Sequence, residues 1–324
     1  MGKTQSKHRF AIGLAAIGAA ALIACLAAAF NAQGKKPSLP SPEPPAAPAE
    51  VRVKAVEAKS GAGKPVDAAA ASAAVAIVCG ADAETAGRYE ARSDALRSIA
   101  RRTVLPNGDV AALMAYLRAQ DGALRAERVA ALKNDVMNLL RLQEPTPDGL
   151  ADLLVGMFEG GEHPPAVLDY CIQHLGAMQD ELEGAMRRRV RELFVRAAGD
   201  ARRPYAGTAL YSLAEDRRAT REQEAELRRL TTSLCAAAEA NGAARIAAIQ
   251  LAGQRGYSEA LPALREVLTG LRRDAVLDVV CIGSVGLLGD AGDLPALERF
   301  AGDRRRAEAV AAATRRIKER ADGE

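Results

Sequence analysis

Hydrophobic residues recur at helical spacing along most of the chain. From about Ala83 onwards, apolar positions repeat every three or four residues, which places them on one face of an α-helix. Polar turns containing Gly or Pro separate roughly ten to twelve such segments. Clear examples are Val110, Leu113, Met114 and Leu117, and Met186, Val190, Leu193 and Phe194. Because no segment of this region alternates convincingly as a strand would, the pattern predicts an all-α body.

Near the C-terminus this pattern repeats with a fixed period. Five positions are followed 33 residues later by the same residue type, namely Ile249, Gly256, Leu261, Pro262 and Leu264, matched by Ile282, Gly289, Leu294, Pro295 and Leu297. Each copy has an apolar helical segment, a Gly turn and a second helix with Pro in its first turn, where a missing N–H is tolerated. The pattern predicts one helical hairpin per copy, with Gly256 and Gly289 as left-handed helix C-caps.

The second turn carries a family resemblance. Leu288-Gly289-Asp290, followed by Leu294-Pro295-Ala296-Leu297, resembles the turn of HEAT repeats of the short bacterial type. The resemblance is clearest over residues 243–318, and the first copy departs from it with Arg255-Gly256-Tyr257. It implies a right-handed α-α superhelix, an α-solenoid over residues 83–321 in which each hairpin buries its apolar faces against its neighbours.

The N-terminus differs from this body in its pattern of polar and apolar residues. Residues 1–9 form a short basic head, and residues 10–30 contain no charged side chain. At about 1.5 Å per residue, these 21 residues could span a bilayer core of roughly 30 Å. Three alternatives remain open: a transmembrane signal anchor, a lipoprotein signal with Cys25 as the lipidated residue, and a signal peptide cleaved near Ala29.

A linker is predicted between this segment and the body. Residues 31–82 are rich in Pro and Ala, with six prolines between Gln33 and Ala49, so we expect an extended and disordered spacer. Within it, the Ala-rich segment Ala68–Val78 is either a helix or more linker. Lys3, Lys7 and Arg9 precede the apolar segment, which favours a cytoplasmic N-terminus. The protein is therefore expected to be membrane-anchored, with its C-terminal body outside the cytoplasm, as in a bacterial periplasm.

Candidate chemistry in the body is sparse. Cys171 and His174, three residues apart on one predicted helix, are residue types that bind metals or form activated thiols. No second ligand pair with suitable spacing accompanies them, so both are interpreted as core residues. Cys79, Cys171, Cys235 and Cys281 are predicted to be buried thiols, although two disulfides remain an alternative. We therefore predict no catalytic site, metal or cofactor.

Charge favours a protein partner over a nucleic acid. The chain has 44 basic and 41 acidic residues, a net charge of +3, which provides no general attraction for phosphates. Basic residues do cluster locally, and they predict a partner-binding ridge formed by Arg187, Arg188, Arg191, Arg202 and Arg203. The alternative is a solvated helix face interleaved with Glu.

Together these features predict a membrane-tethered, non-catalytic scaffold that binds other proteins through a HEAT-like solenoid. The predicted span, spacer and repeat body support this function, and no small-molecule substrate is expected. Two alternatives remain. One is an enzyme of the bilin-lyase type, which the HEAT resemblance implies, and the other is a lipoprotein adaptor of the cell envelope.

Overall fold

The computed structural model describes residues 68–100, 104–270 and 274–323, and every helix and turn discussed below lies in these ranges. Residues 65–324 form one compact unit. The described residues contain fourteen α-helices, with 3₁₀ turns at Ser258–Ala260 and Ala291–Asp293. The helices are α1 (Ala68–Val78), α2 (Tyr89–Ile99), α3 (Asn107–Arg118), α4 (Ala126–Arg141), α5 (Leu150–Gly160), α6 (Pro165–Met178), α7 (Gly184–Gly199), α8 (Tyr205–Ala214), α9 (Arg221–Ala236), α10 (Gly242–Arg255), α11 (Leu261–Thr269), α12 (Ala275–Leu288), α13 (Leu294–Glu298) and α14 (Ala307–Gly323).

The helices stack in two rows. Even-numbered helices from α2 to α14 each contact the next even-numbered helix, and odd-numbered helices from α1 to α13 do the same. Each odd helix also packs against the even helix that follows it, from the pair α1 and α2 to the pair α13 and α14. The predicted all-helical stack of hairpins is therefore confirmed for the described residues. We refer below to the even row and the odd row.

The hairpins are shifted in phase from the prediction. The sequence pattern suggested that α10 and α11 pair across Gly256, but α11 packs against α12, and α10 packs against α9. The 3₁₀ turn after Gly256 carries the chain from the even row to the odd row, and it contacts α9, α10 and α11. The 33-residue period thus describes a connection between hairpins, because the periodic Gly and Pro residues mark where one hairpin ends and the next begins.

Two glycines that are equivalent in sequence have different structural roles. Gly256 has a φ of +71° and is the predicted left-handed C-cap of α10. Gly289 has a φ of −79° and an extended backbone, so the prediction of a left-handed cap was wrong there. A Cβ at Gly289 would lie 2.7 Å from the carbonyl oxygen of Val285 and would also clash with the carboxylate of Asp293. Glycine is required at position 289 because these neighbouring groups leave no room for a Cβ atom.

The helical body starts earlier than predicted. Helix α1 lies inside the range 31–82 that was interpreted as a linker, yet Ala71, Val75 and Val78 are buried and the helix packs against α2 and α3. Its small side chains resemble a linker in composition, but they also allow close helix packing. The rest of that linker, the basic head and the apolar segment 10–30 with Cys25 lie outside the described residues. Within the described ranges, no helix is long and apolar enough to cross a bilayer.

Buried or half-buried cations of the even row bind the C-terminal ends of odd helices. In three hairpins a Lys or Arg donates to a carbonyl of the last turn of its partner helix, where the helix dipole favours positive charge. The bonds are Arg92 Nε to the Val78 oxygen at 2.9 Å, Lys133 Nζ to the Leu117 oxygen at 2.8 Å, and Arg245 Nε to the Cys235 oxygen at 3.0 Å. These charges hold the two rows together.

Small residues bring the even helices close together. At four consecutive crossings a glycine faces a small residue of the next even helix. A Cβ added to that glycine would lie 2.8 Å or less from the facing residue. The pairs are Gly176 with Ser212, Gly207 with Ala247, Gly253 with Ser284, and Gly286 with Ala313. Glycines of the odd row such as Gly108 and Gly156 have open space around the same position. Close packing is therefore a property of the even row.

Replacing Gly286 by Ala is expected to destabilise the stack by about 1–3 kcal/mol, because the new methyl group would lie 2.7 Å from Cα of Ala313. The matched control is Gly283→Ala in the same helix, where an added Cβ meets nothing within 4 Å. Helix propensity alone then predicts a gain of about 0.5–1 kcal/mol. Urea unfolding of both variants measures the difference, and equal midpoints would show that this crossing is not tightly packed.

Candidate interaction surface

A stripe of half-buried polar side chains follows the solvent-facing side of the even row. On each helix its members are adjacent in sequence or are three to four residues apart, so they share one face of the helix. We call this set the polar stripe. It comprises Asn134 and Asn138 on α4, Asp169, Tyr170 and Gln173 on α6, Thr208 and Tyr211 on α8, and Gln250 on α10.

Contacts between polar side chains link the polar stripe across three helices. The hydroxyl group of Thr208 on α8 lies close to the carboxylate of Asp169 on α6. Gln173 Nε2 also donates to Asp169, at 2.9 Å. The hydroxyl group of Tyr211 then donates to Gln250 Oε1 on α10, at 3.2 Å. The stripe is therefore a connected surface whose side chains are positioned before any partner binds.

Two carboxylates lie near Tyr170 in the polar stripe. Burial raises the pKa of Tyr170, and the negative charges of Asp169 and Asp135 raise it further. Burial also raises the pKa of Asp169 despite the neighbouring Thr208 and its hydrogen bond with Gln173, and its Oδ1 atom is buried without a partner among the described residues. Burial raises the pKa of Asp135 as well, partly offset by the charge of Arg97, whereas no such cation acts on Asp169. This part of the stripe has an excess of negative charge.

His174 and Cys171 lie behind the polar stripe. His174 is 5% exposed, with its Nε2 atom 3.1 Å from Asn134 Oδ1 and its Nδ1 atom unpartnered. Burial, aided by the charge of Arg141, lowers the pKa of His174 to about 4. Burial raises the pKa of Cys171 to about 12, so its thiol is protonated and unreactive at neutral pH. The interpretation of both residues as core is confirmed, and the described ranges contain no group of three metal-ligating side chains.

The other cysteines also resemble core residues. Cys235 and Cys281 are buried, and Cys79 is half-buried, so burial was predicted correctly for three of the four cysteines in the body. All four are free thiols in this structure. Burial raises the pKa of Cys79 to about 11. None of these thiols has the lowered pKa that nucleophilic chemistry requires.

Beyond α10 the same face becomes apolar. The solvent-facing side of α12 carries Val276, Val279, Val280 and Leu287, where the preceding even helices carry amides and hydroxyl groups. Leu287 is 43% exposed and is among the few large apolar side chains exposed in the described ranges. The even row therefore presents a long surface that is polar over α4 to α10 and apolar at α12.

The structure does not bring the five arginines of the predicted ridge together. Arg187 donates to Asp216 at 2.6 Å, and Arg191 pairs with Glu226 at 3.2 Å, so both are turned toward the next hairpin. They line a small pocket together with Asp216, which offsets their charge. The prediction of one ridge was wrong in its geometry, because Arg187 and Arg191 pair with carboxylates in the loop after α8 and on α9.

The remaining three arginines are exposed but lie apart. Arg188 is exposed near the start of α7, and Arg202 and Arg203 follow the end of this helix. Because α7 has 16 residues and is about 24 Å long, Arg188 lies far from the other two. Arg203 pairs with Asp200 at 3.6 Å. A partner-binding role for Arg188 and Arg202 stays a prediction.

The polar stripe itself was missed from the sequence. A usable signal was present in α6, where Asp169, Tyr170 and Gln173 interrupt the buried positions Leu168 and Ile172 at helical spacing. Read alone, such residues look like any solvated helix face. Only the stacking of helices about 40 residues apart aligns them with their counterparts on α4, α8 and α10.

Comparison with known proteins adds little to this description. No protein-family model matches the chain, and no curated protein matches it. Among solved structures, human deoxyhypusine hydroxylase in complex with glycerol is similar at 16% identity and a TM-score of 0.32, covering 78% of this chain and 98% of that one. At this score the likeness carries no argument about function. The description of this body as stacked helical hairpins rests on its own two rows of paired helices.

Proposed function

We propose that this protein is a non-catalytic, membrane-tethered scaffold whose helical-repeat body binds another protein along the even row. The observation that carries the proposal is the polar stripe, which runs along α4, α6, α8 and α10, is hydrogen-bonded between α8 and α10, and continues into the apolar face of α12. A surface of this length exceeds what a small metabolite would cover, and it suits a macromolecular partner.

Preorganisation supports this function. The even helices are held at glycine crossings, so a partner need not order the surface before binding to it. Tyrosine side chains such as Tyr170 and Tyr211 supply contact area at low entropic cost and are enriched in protein interfaces. The right-handed superhelix expected of HEAT-like repeats would extend this surface and is part of the proposal.

The tether rests on the sequence. The uncharged segment 10–30 would anchor the chain, and the Pro-rich linker after it would hold the body away from the bilayer, outside the cytoplasm. Lipidation of Cys25 would give the same arrangement by another route. Either anchor raises the local concentration of the body for partners in the same membrane compartment.

A catalytic function has less support. An enzyme of the kind implied by the HEAT resemblance needs a nucleophile or proton donor that substrate can reach. Cys171 and His174 are buried behind the polar stripe, and their shifted pKa values keep the thiol protonated and the imidazole neutral at neutral pH. We therefore favour binding over catalysis.

Position-specific photo-crosslinking in intact membranes tests the scaffold. A photoreactive residue at Gln173 or Gln250 is expected to form a discrete crosslinked protein band in the membrane fraction, because both side chains lie on the even row. The matched control is Glu192 on the exposed side of α7 in the odd row, which should give no such band. Crosslinks of equal strength from both rows, or from neither, would contradict the proposal.

A further inference from the structure

We infer, on the basis of the proposed function, that the ligand of the polar stripe is an extended, basic segment of the partner protein. Its main chain would pair with the side-chain amides of Asn138, Gln173 and Gln250. A Lys or Arg side chain of the segment would contact Asp169 beside Tyr170.

The carboxamides are suited to a peptide main chain. A side-chain amide contains one acceptor and two donors, and can therefore pair with both the C=O and the N–H of an extended peptide. In the free protein each is only partly engaged. Gln173 uses its Nε2 atom for Asp169, and Gln250 uses its Oε1 atom for Tyr211. Gln173 Oε1 and Gln250 Nε2 have no partner among the described residues and remain available on the half-buried face.

Helix spacing favours an extended segment over a bound helix. Packed helices lie about 8–10 Å apart, so the path from α4 to α10 crosses roughly 25–30 Å. An extended chain advances about 3.3 Å per residue, which gives eight or nine residues over this path and about three per helix. A bound α-helix would satisfy its own N–H and C=O groups internally and leave the amides of the stripe unused.

Charge determines which side chain belongs near α6. The half-buried Asp169 and the exposed Asp135 both lie close enough to Tyr170 for their negative charges to act on it. A cation of the partner beside Tyr170 would interact favourably with both carboxylates. Tyr170 and Tyr211 add aromatic surface near which a cation is favoured. An acidic side chain would meet repulsion here.

The apolar face of α12 indicates the chemistry of one end of the ligand. A segment that runs past Gln250 reaches Val279, Val280 and Leu287, where side-chain amides are replaced by aliphatic groups. Apolar side chains at that end of the segment would bury this exposed surface. The expected ligand is therefore basic at its centre and apolar at one end.

The probe is a random library of 12-residue displayed peptides, selected against the full chain in detergent. Enriched peptides are expected to carry Lys or Arg at a central position, and changing that residue to Glu in a synthetic copy should weaken binding at least tenfold. Gln173→Ala and Asp169→Asn should each weaken the selected peptide about tenfold. Glu192→Gln, an exposed change on the odd row, should leave its affinity unchanged.

If Asp169→Asn disturbs folding, Asp135→Lys tests the charge preference in its place. Asp135 is exposed, so its replacement removes no buried contact. This variant should favour the Glu copy of the peptide over the Lys copy. If no peptide is enriched while crosslinks from Gln173 persist, the extended ligand is overturned and the scaffold stands. If both fail, both proposals fall. Peptides that bind equally well to all variants would overturn the placement on the polar stripe.

Discussion

Replacing Asp121 by Asn is expected to lower the free energy of unfolding by about 3–5 kcal/mol, the usual cost of leaving a buried charge without its partner. Asp121 Oδ2 lies 2.7 Å from Arg92 Nη1, and the two side chains are only 8% and 1% exposed. Arg92 also donates to the Val78 carbonyl, so its charge cannot move out to water without breaking the contact between α1 and α2. Asparagine keeps an acceptor oxygen but removes the compensating charge.

The matched control is Asp94→Asn. Its ion pair with Arg97 is about 70% exposed on both sides, and exposed pairs contribute about 0–1 kcal/mol. Denaturant unfolding of both variants gives the comparison directly. A loss below about 1 kcal/mol for Asp121→Asn would show that water or neighbouring groups already compensate Arg92, and the view that buried cations hold the two rows together would fail.

Acidification from pH 6.5 to pH 4 is expected to destabilise the protein by up to about 3 kcal/mol through His174 alone. Burial lowers the pKa of His174 from 6.5 to about 4 in the folded state. Between these values the unfolded chain binds a proton that the folded chain does not. Stability is therefore fully present above the unfolded pKa and is lost as the pH falls toward the folded pKa.

His174→Gln isolates this contribution, since Gln can still donate to Asn134 but does not titrate. Unfolding midpoints measured from pH 4 to pH 7 should decline less steeply in the variant than in the parent protein. Other titrating groups contribute equally to both curves and cancel in the difference. Identical curves would mean that His174 becomes protonated in the folded protein without penalty, which would contradict its burial between α4 and α6.

Local features were predictable because they depend on neighbours within a few residues. Thr220 and Gln223 form a capping box at the start of α9, which the Thr-x-x-Gln spacing indicates by itself, and Pro262 and Pro295 lie in the first turns of α11 and α13 as expected. The all-α composition and the buried stripes follow from helical periodicity in the same way. Each of these signals involves hydrogen bonds or packing within one or two helical turns.

Features that depend on distant segments were predicted less well. Small residues allowed either a linker or a packed helix at α1, and the contacts with α2 and α3 decided for the helix. The turn at Gly256 looked like the tip of a hairpin, but helix packing placed that tip elsewhere. Arg187 and Arg191 were expected in a ridge, yet both pair with Asp216 in the loop that joins α8 to α9, away from the other arginines.

By itself, the sequence determined most of the helices, which of their faces are apolar and that a helical unit repeats near the C-terminus, because these properties arise from short-range periodicity and capping. Only the tertiary structure decided which helices pair, which arginines are neutralised and that Asp169, Tyr211 and Gln250 share one surface. These residues are about 40 positions apart along the chain. Their proximity arises from close packing at Gly176, Gly207 and similar crossings, where the partner of each residue belongs to another repeat.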